Sequence, residues 1–497
     1  MHSKIWQKFS SASGLRRDFL TGFAWNHAAK IAEYLLLYIL SVVVARALGP
    51  AANGTYATLV SISQLLLTFS SVTLDLALNR FLPQFSESNG KTAYVVRRLI
   101  SAKIALLVLL CAALAFGWSV VQRWFDLHSS ADIYLAFIIA LGFFRAVSST
   151  FAAIWVSRLQ SKAILIINSS TLLFQIVAVE LVVSGDSGIA PLLMIVLLGA
   201  LASAVAYLIA GRAHLFVPAE KVSMKPIVSF SGWLWVNAFI AYVYGKQGDI
   251  AMLSFFSVKK GLIGLYDVAS TLSFLPGFII AAGLGGISIS MFSRLSNEDP
   301  SQVKPFWVRL SSFLTQLTIP LYCFLAVFAG NIISVLYSGE YSQSALMVQV
   351  FVISRVVARL FGGGESFDAL LSLHAERRAV AIGIAGGIIN IVLNIVFIPV
   401  LQVMGAVLAT SITTLVIDGS MWLLLKRRLG VPLLAGNWLR SLLIGGVPVI
   451  FMKILFPDPG LGRLMLIGLF CIFVWGFSMV LVKKHNDLLV DSSGIGR

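Results

Sequence analysis

Apolar residues in this chain fall into fourteen long runs separated by short polar connections. The runs lie at roughly 22–45, 54–78, 99–121, 132–157, 163–183, 190–211, 228–247, 262–291, 306–329, 344–366, 379–399, 404–425, 438–455 and 462–482. Each is close to the length of about 20 residues that lets a helix cross a hydrocarbon core of about 30 Å. A lipid-embedded backbone must satisfy its own polar groups, and a helix does so within each run. The pattern therefore predicts an all-α membrane protein of about 14 transmembrane helices. The connections leave no room for a separate catalytic domain.

Composition agrees. The 497 residues are 58% hydrophobic and 12% charged, about half the charged share of soluble chains. The start, Met1–Asp18, is polar and basic, and the first apolar run is too long for the core of a cleavable signal, so it is expected to be kept. Cys111, Cys323 and Cys471 all sit inside apolar runs, which predicts buried thiols and no disulfide framework.

A net charge of +16 would fit nucleic acid in a soluble protein. Here the distribution of the charge explains it, and no nucleic-acid partner is expected. With the N-terminus inside, 25 of the 37 Lys and Arg fall on the cytoplasmic side and 7 on the other. That bias sets orientation in a membrane. An even number of spans then brings the C-terminus to the cytoplasm as well.

A weak repeat appears at an offset of 210 residues. Gly22, Trp25, Tyr34, Gly54 and Tyr56 align without gaps on Gly232, Trp235, Tyr244, Gly264 and Tyr266. The first and seventh runs share an orientation, so the repeat is a parallel one. It implies two six-helix lobes with a parallel pseudo-two-fold repeat, plus two C-terminal helices. The expected divisions are a cytoplasmic N-terminal segment 1–21, an N-lobe 22–211, a linker 212–227, a C-lobe 228–425, two last spans 426–482 and a cytoplasmic tail 483–497. Transporters built from repeats hold substrate near the midplane.

Ionisable residues deep in a span cost several kcal/mol and call for a function. Run 1 carries His27, Lys30 and Glu33; run 4 carries Arg145; run 10 carries Arg355 and Arg359, one turn apart; run 12 carries Asp418. The surplus at mid-depth is positive, which predicts a cavity for an anion. Lys30, Arg145, Arg355 and Arg359 are its expected lining. A guanidinium suits phosphate because its planar fork donates two hydrogen bonds at once. Glu33 and Asp418 are the candidates for ion coupling. Local neutralisation competes with this reading, through Lys30–Glu33 on one helix face or Arg359–Asp418 between helices. Asp75, Glu180, Glu365 and Asp368 lie nearer run ends and read as solvated. Pro276-Gly277 and Gly362-Gly363-Gly364 interrupt runs 8 and 10 and are hinge candidates. Close packing through small residues is the competing reading.

The chain has no GxxxxGK[ST] loop, no HExxH and no GxSxG. ATP hydrolysis, a metal site, a cofactor and enzyme activity are accordingly not expected.

Two stretches carry a family likeness. One is Val44-Ala45-Arg46-Ala47-Leu48-Gly49-Pro50 with Gly54-Thr55-Tyr56. The other is Asn390-Ile391-Val392-Leu393-Asn394, Ile398-Pro399 and Gly405-Ala406-Val407-Leu408-Ala409-Thr410. Leu336-Tyr337-Ser338-Gly339-Glu340-Tyr341 is a third, weaker match. The chain resembles the polysaccharide-transporter family of Wzx-like oligosaccharide flippases, within the multidrug/oligosaccharidyl-lipid/polysaccharide exporter superfamily. The resemblance implies an alternating-access flippase in the bacterial cytoplasmic (inner) membrane, coupled to protons or sodium. Its cargo would be an undecaprenyl-diphosphate-linked oligosaccharide for surface polysaccharide, with membrane lipid, a polysaccharide polymerase and a chain-length regulator as further partners. The alternatives are a multidrug antiporter of the same superfamily, which the positive surplus disfavours, and a lipid II flippase. The polyprenyl tail is expected to stay in lipid, beside spans 13 and 14.

Overall fold

The computed structural model describes residues 13–85, 88–127, 131–157, 161–183, 188–211 and 217–492. Parts of the N-terminal segment (1–12), the linker (212–216) and the tail (493–497) lie outside the described residues, as do the side chains of Gly22, Trp25 and His27. The described residues are helical, with no strand among them. The helices are α1 (Ser13–Leu67), α2 (Thr73–Phe81), α3 (Asn89–Phe116), α4 (Trp118–Trp124), α5 (Ala131–Ser157), α6 (Ser161–Val182) and α7 (Ala190–Gly211). They continue as α8 (Lys225–Val243), α9 (Lys246–Phe255), α10 (Lys260–Glu298), α11 (Val303–Leu336), α12 (Ser344–Ala358) and α13 (Glu365–Ser372). The last are α14 (Glu376–Leu401), α15 (Val403–Leu429), α16 (Ala435–Leu455) and α17 (Leu461–Ser492).

Every apolar run is helical over most of its length. Among the described residues, ten helical stretches are long and apolar enough to cross a membrane, the first of them holding two runs. The break between those two is Gly49-Pro50. Gly49 sits at φ 69°, a conformation that glycine adopts without steric cost. Large apolar side chains face outward along the helices, such as Leu109 at 65% and Leu181 at 79% exposure. In water such a surface would drive aggregation; in lipid it is the ordinary solvent contact.

The chain divides into two compact units. One holds residues up to Val268 together with Asn390–Ala406; the other holds Ala269–Ile389 and Val407 onward. In the first unit the apolar core is split along the helix axes. One cluster gathers Leu40, Val44, Trp118, Leu141 and Leu192. The other gathers Leu78, Val95, Leu99, Ile154 and Tyr207. Lys103 falls between Leu99 and Leu110 of the two clusters, and Arg145 between Leu141 and Ile154, so a polar layer separates them. The same depth holds a π-helical turn, Thr68–Val72, ahead of α2. Such turns are frequent at functional sites.

The aligned repeat positions Gly54 and Gly264 meet each other. A methyl on Gly54 would lie 1.8 Å from the carbonyl oxygen of Lys260, and one on Gly264 would lie 2.0 Å from that of Pro50. Residues 50 and 54 become 260 and 264 on adding the 210-residue offset, so the contact is reciprocal. Two backbones approach this closely only where neither carries a side chain.

Beside that crossing, Asn390 and Asn394 from the second likeness stretch enclose a buried carboxylate. Asn394 Nδ2 donates to Asp249 Oδ1 at 3.1 Å and to Asn390 Oδ1 at 3.0 Å, and Tyr266 OH donates to Asp249 Oδ2 at 2.5 Å. Helices α9, α10 and α14 are tied together by this network, which explains why asparagine stands twice, four residues apart, in an apolar run.

Candidate functional site

The mid-span cations differ in how far the protein neutralises them. Lys30 forms an ion pair with Glu33 at 2.8 Å, one turn away on α1. Arg359 is nearly enclosed and fully engaged. It donates to Glu365 at 3.2 Å, to Thr315 Oγ1 at 3.3 Å and to the carbonyl of Ser311 at 3.2 Å. Its carboxylate partner is therefore Glu365 and not Asp418. Glu365, read from its position in the run as solvated, is a buried ion-pair member, 11% exposed.

The glycines make that pair possible. α12 ends at Ala358, a short tight turn follows, and Gly362 and Gly363 take φ 86° and 60° before α13 begins. A methyl on Gly362 would lie 2.4 Å from the Trp307 ring, and one on Gly363 2.6 Å from the Arg359 guanidinium. Gly362→Ala is expected to lower thermal stability by about 1–3 kcal/mol, from overpacking against the ring and a strained φ. Thermal unfolding of the purified protein in detergent checks this, with Gly364→Ala as the control, since nothing lies within 4 Å of that position.

Arg145 and Arg355 are different. No hydrogen bond or ion pair engages Arg145 among the described residues, and Tyr56 of α1 lies within its electrostatic reach. The Arg355 guanidinium carbon lies over Phe274, 4.0 Å from the ring centroid. Its Nε–H is buried without a hydrogen-bond partner. The ring holds the cation in place without consuming its charge. Asp418 on α15 is within electrostatic reach of Arg355, Arg359 and Glu365. Arg145 belongs to the first compact unit, and Arg355, Arg359 and Asp418 to the second.

The hinge candidates part in the same way. The backbone leaves the helix at Gly362-Gly363, whereas α10 runs unbroken through Pro276 and Gly277, with Gly277 3.3 Å from the Tyr322 hydroxyl. Of the residues read as solvated, Glu180 is exposed, and Asp368 accepts a hydrogen bond from Ser288.

Asp75, expected to be solvated near a run end, is instead enclosed, 13% exposed. It is buried with Lys103, whose ammonium contacts both carboxylate oxygens at 2.9 and 3.0 Å, Ser149 Oγ at 2.9 Å and Thr150 Oγ1. Sequence reasoning passed over Lys103, although it is the one charge between Arg98 and Arg123. A lysine so placed signals a buried partner, and the adjacent Ser149-Thr150 pair supplies the remaining acceptors. A second ion pair, Lys246–Asp267 at 2.6 Å, joins α9 to α10.

Comparison with known proteins adds to this geometry. Residues 43–346 match the family described as polysaccharide biosynthesis protein. A probable flippase, AglR of Haloferax volcanii, is 29% identical over 204 residues, covering 40% of this chain and 41% of that protein. The match thus spans about two fifths of the relative's length. Among solved structures, lipid II flippase MurJ in an inward closed conformation superposes with a TM-score of 0.74 at 16% identity, over 93% of this chain and 99% of that one. A Vibrio cholerae MATE transporter, VcmN, superposes with a TM-score of 0.56 at 11% identity, over 85% and 98%. At these identities the structural likeness is one of fold.

Proposed function

Because the chain belongs to the polysaccharide biosynthesis protein family, we propose that it is a flippase, not an enzyme, that moves a polyprenyl-diphosphate-linked oligosaccharide across the cytoplasmic membrane. The observation that carries this reading is that Arg145 in the first unit and Arg355 in the second are guanidinium groups inside membrane helices with no ion pair among the described residues. An unpaired cation at that depth is costly unless a ligand or water compensates it. A diphosphate is the fitting ligand, because it accepts bidentate hydrogen bonds and carries the opposite charge. The flippase named among the relatives and the fold shared with a lipid II flippase support the same class.

In this proposal both termini face the cytoplasm, and the six-helix lobes 22–211 and 228–425 alternate access. Arg145 with Lys30 in the first unit, and Arg355 with Arg359 in the second, are each proposed to attract the anionic head group. Glu33 and Asp418 are the proposed coupling carboxylates. Gly362-Gly363-Gly364 is the favoured hinge over Pro276-Gly277, since the helix is already broken there. The sugar is chosen outside this cation set, and polymerase and chain-length regulator take the product on the far side.

The test is a reconstituted flip assay in proteoliposomes, with a fluorescent polyprenyl-diphosphate oligosaccharide and with lipid II as separate cargoes. Arg145→Ala and Arg355→Ala should each cut oligosaccharide flipping at least about tenfold, equivalent to about 1.4 kcal/mol, while the protein inserts normally. Arg355→Lys should recover part of the rate, since it keeps charge but loses the planar fork and its stacking. Wild-type rates in both alanine variants would sink the scheme. Preferred flipping of lipid II would assign the chain to that cargo.

A further inference from the structure

A groove of about 710 Å³ runs along the first compact unit, with α3 on one side, α8 on the other and the start of α2 at its floor. Its walls repeat at helical spacing. Arg98, Ala102 and Leu106 follow one another along α3, while Val228, Gly232 and Trp235 do so along α8. Val228 is 61% exposed, and Leu106 and Trp235 are exposed as well, so the groove opens sideways. α3, which forms one wall, is long and apolar enough to cross a membrane. Both serine hydroxyls in its lining are already used: Ser231 donates to the carbonyl of Ile227 and Ser101 to that of Arg97, both at 2.9 Å. Trp235 is fixed by a 3.0 Å hydrogen bond from its indole to the carbonyl of Phe69. The wall is mostly apolar, with one formal charge, Arg98, at one end over the Tyr94 ring. No carboxylate lines it.

We propose that this groove binds an anionic glycerophospholipid, with an acyl chain along α3 and α8 and the phosphate at Arg98. Length selects this occupant. Arg98 to Leu106 spans about 12 Å and Met224 to Trp235 about 16 Å at a rise of about 1.5 Å per residue, close to the depth of about 15 Å for one leaflet's hydrocarbon. A soluble anion would have no use for the apolar wall, and a zwitterionic lipid would bring a cation of its own beside Arg98 along with its phosphate. An undecaprenyl chain is much longer than one leaflet is deep. The lipid would wedge α8 against α3, beside the π-helical turn of Thr68–Val72, and so tie helix packing in this unit to membrane composition.

Native mass spectrometry of the full-length protein in detergent, titrated with dioleoyl-phosphatidylglycerol or dioleoyl-phosphatidylcholine, tests the proposal. Wild-type protein should retain one phosphatidylglycerol about fivefold better than phosphatidylcholine, the preference expected of one cation near a lipid phosphate. Arg98→Gln should bring the two lipids to parity. Gly232→Phe should remove the bound lipid, because Gly232 lines the groove and nothing lies within 4 Å of a Cβ placed there. Val228→Trp fills the groove from an exposed position and serves if the first variant fails to fold. Equal retention of both lipids by wild type would overturn the proposal, as would undiminished phosphatidylglycerol binding in the filled variants. Displacement of phosphatidylglycerol by equimolar undecaprenyl phosphate would give the groove to a polyprenyl chain instead.

Discussion

Lys103→Met is expected to destabilise the protein by about 3–5 kcal/mol, the cost of leaving one partner of a buried ion pair without the other. Lys103 and Asp75 are 5% and 13% exposed, and the lysine also serves Ser149 and Thr150. Removing the ammonium therefore leaves a carboxylate facing two hydroxyls in a layer walled by apolar clusters on both sides. The midpoint of thermal unfolding in detergent should fall by about 3–5 °C. Adding Asp75→Asn removes the stranded charge, and the double variant should recover at least half of the loss. A neutral pair of similar volume costs far less than a broken one. A double variant less stable than either single one would show that the two groups do not act as a pair. The comparison also separates structure from transport. A stable double variant that no longer flips cargo would give the pair a role in coupling; a stable and active one would leave it as interhelical glue.

The helices of this fold were legible because membrane spans announce themselves through run length alone. The orientation bias and the mid-span charges were equally open to reading, since both depend on residue type and position along one helix. The partners were not. Arg359 and Glu365 are six residues apart, which on an unbroken helix puts them about 240° apart, on different faces. They meet only because Gly362 and Gly363 turn the chain back. Asp75 and Lys103 sit on different helices, and nothing local says that these two faces oppose. The Asp249 network needs three segments to converge, the last of them about 140 residues downstream. Lys30–Glu33 is the contrasting case: an i,i+3 pair is set by helix geometry and is present as the spacing implies. Local pairing could be read from the sequence, whereas pairing across helices needed the packed structure.

The repeat stands between these two cases, and it yields the second large effect. Gly54→Ala should force α1 and α10 apart at their crossing, because its methyl would sit 1.8 Å from the Lys260 carbonyl oxygen, with the backbone nitrogen of Gly264 2.9 Å away. No rotamer relieves a clash between a Cβ and a helix backbone, so one helix has to move. Separation would stretch the neighbouring polar contacts, Thr58 to Ser254 at 3.0 Å and Asn53 to the Gly264 carbonyl at 3.5 Å. The expected cost is about 1–3 kcal/mol, the usual range for overpacking. Gly264→Ala alone should cost about the same, since its methyl meets the Pro50 carbonyl at 2.0 Å. The two together should cost little more than either one, because the first methyl has already opened the gap that the second needs. A double-mutant cycle measured by thermal unfolding should therefore show a coupling of at least about 1 kcal/mol. Gly330→Ala on α11 is the control. It has nothing within 4 Å, and it should be neutral or stabilising by up to about 1 kcal/mol through helix propensity. Additive losses at Gly54 and Gly264 would mean that each is strained by its own surroundings. Sub-additive losses would show one shared contact, held in common by two helices whose sequences repeat at a 210-residue offset.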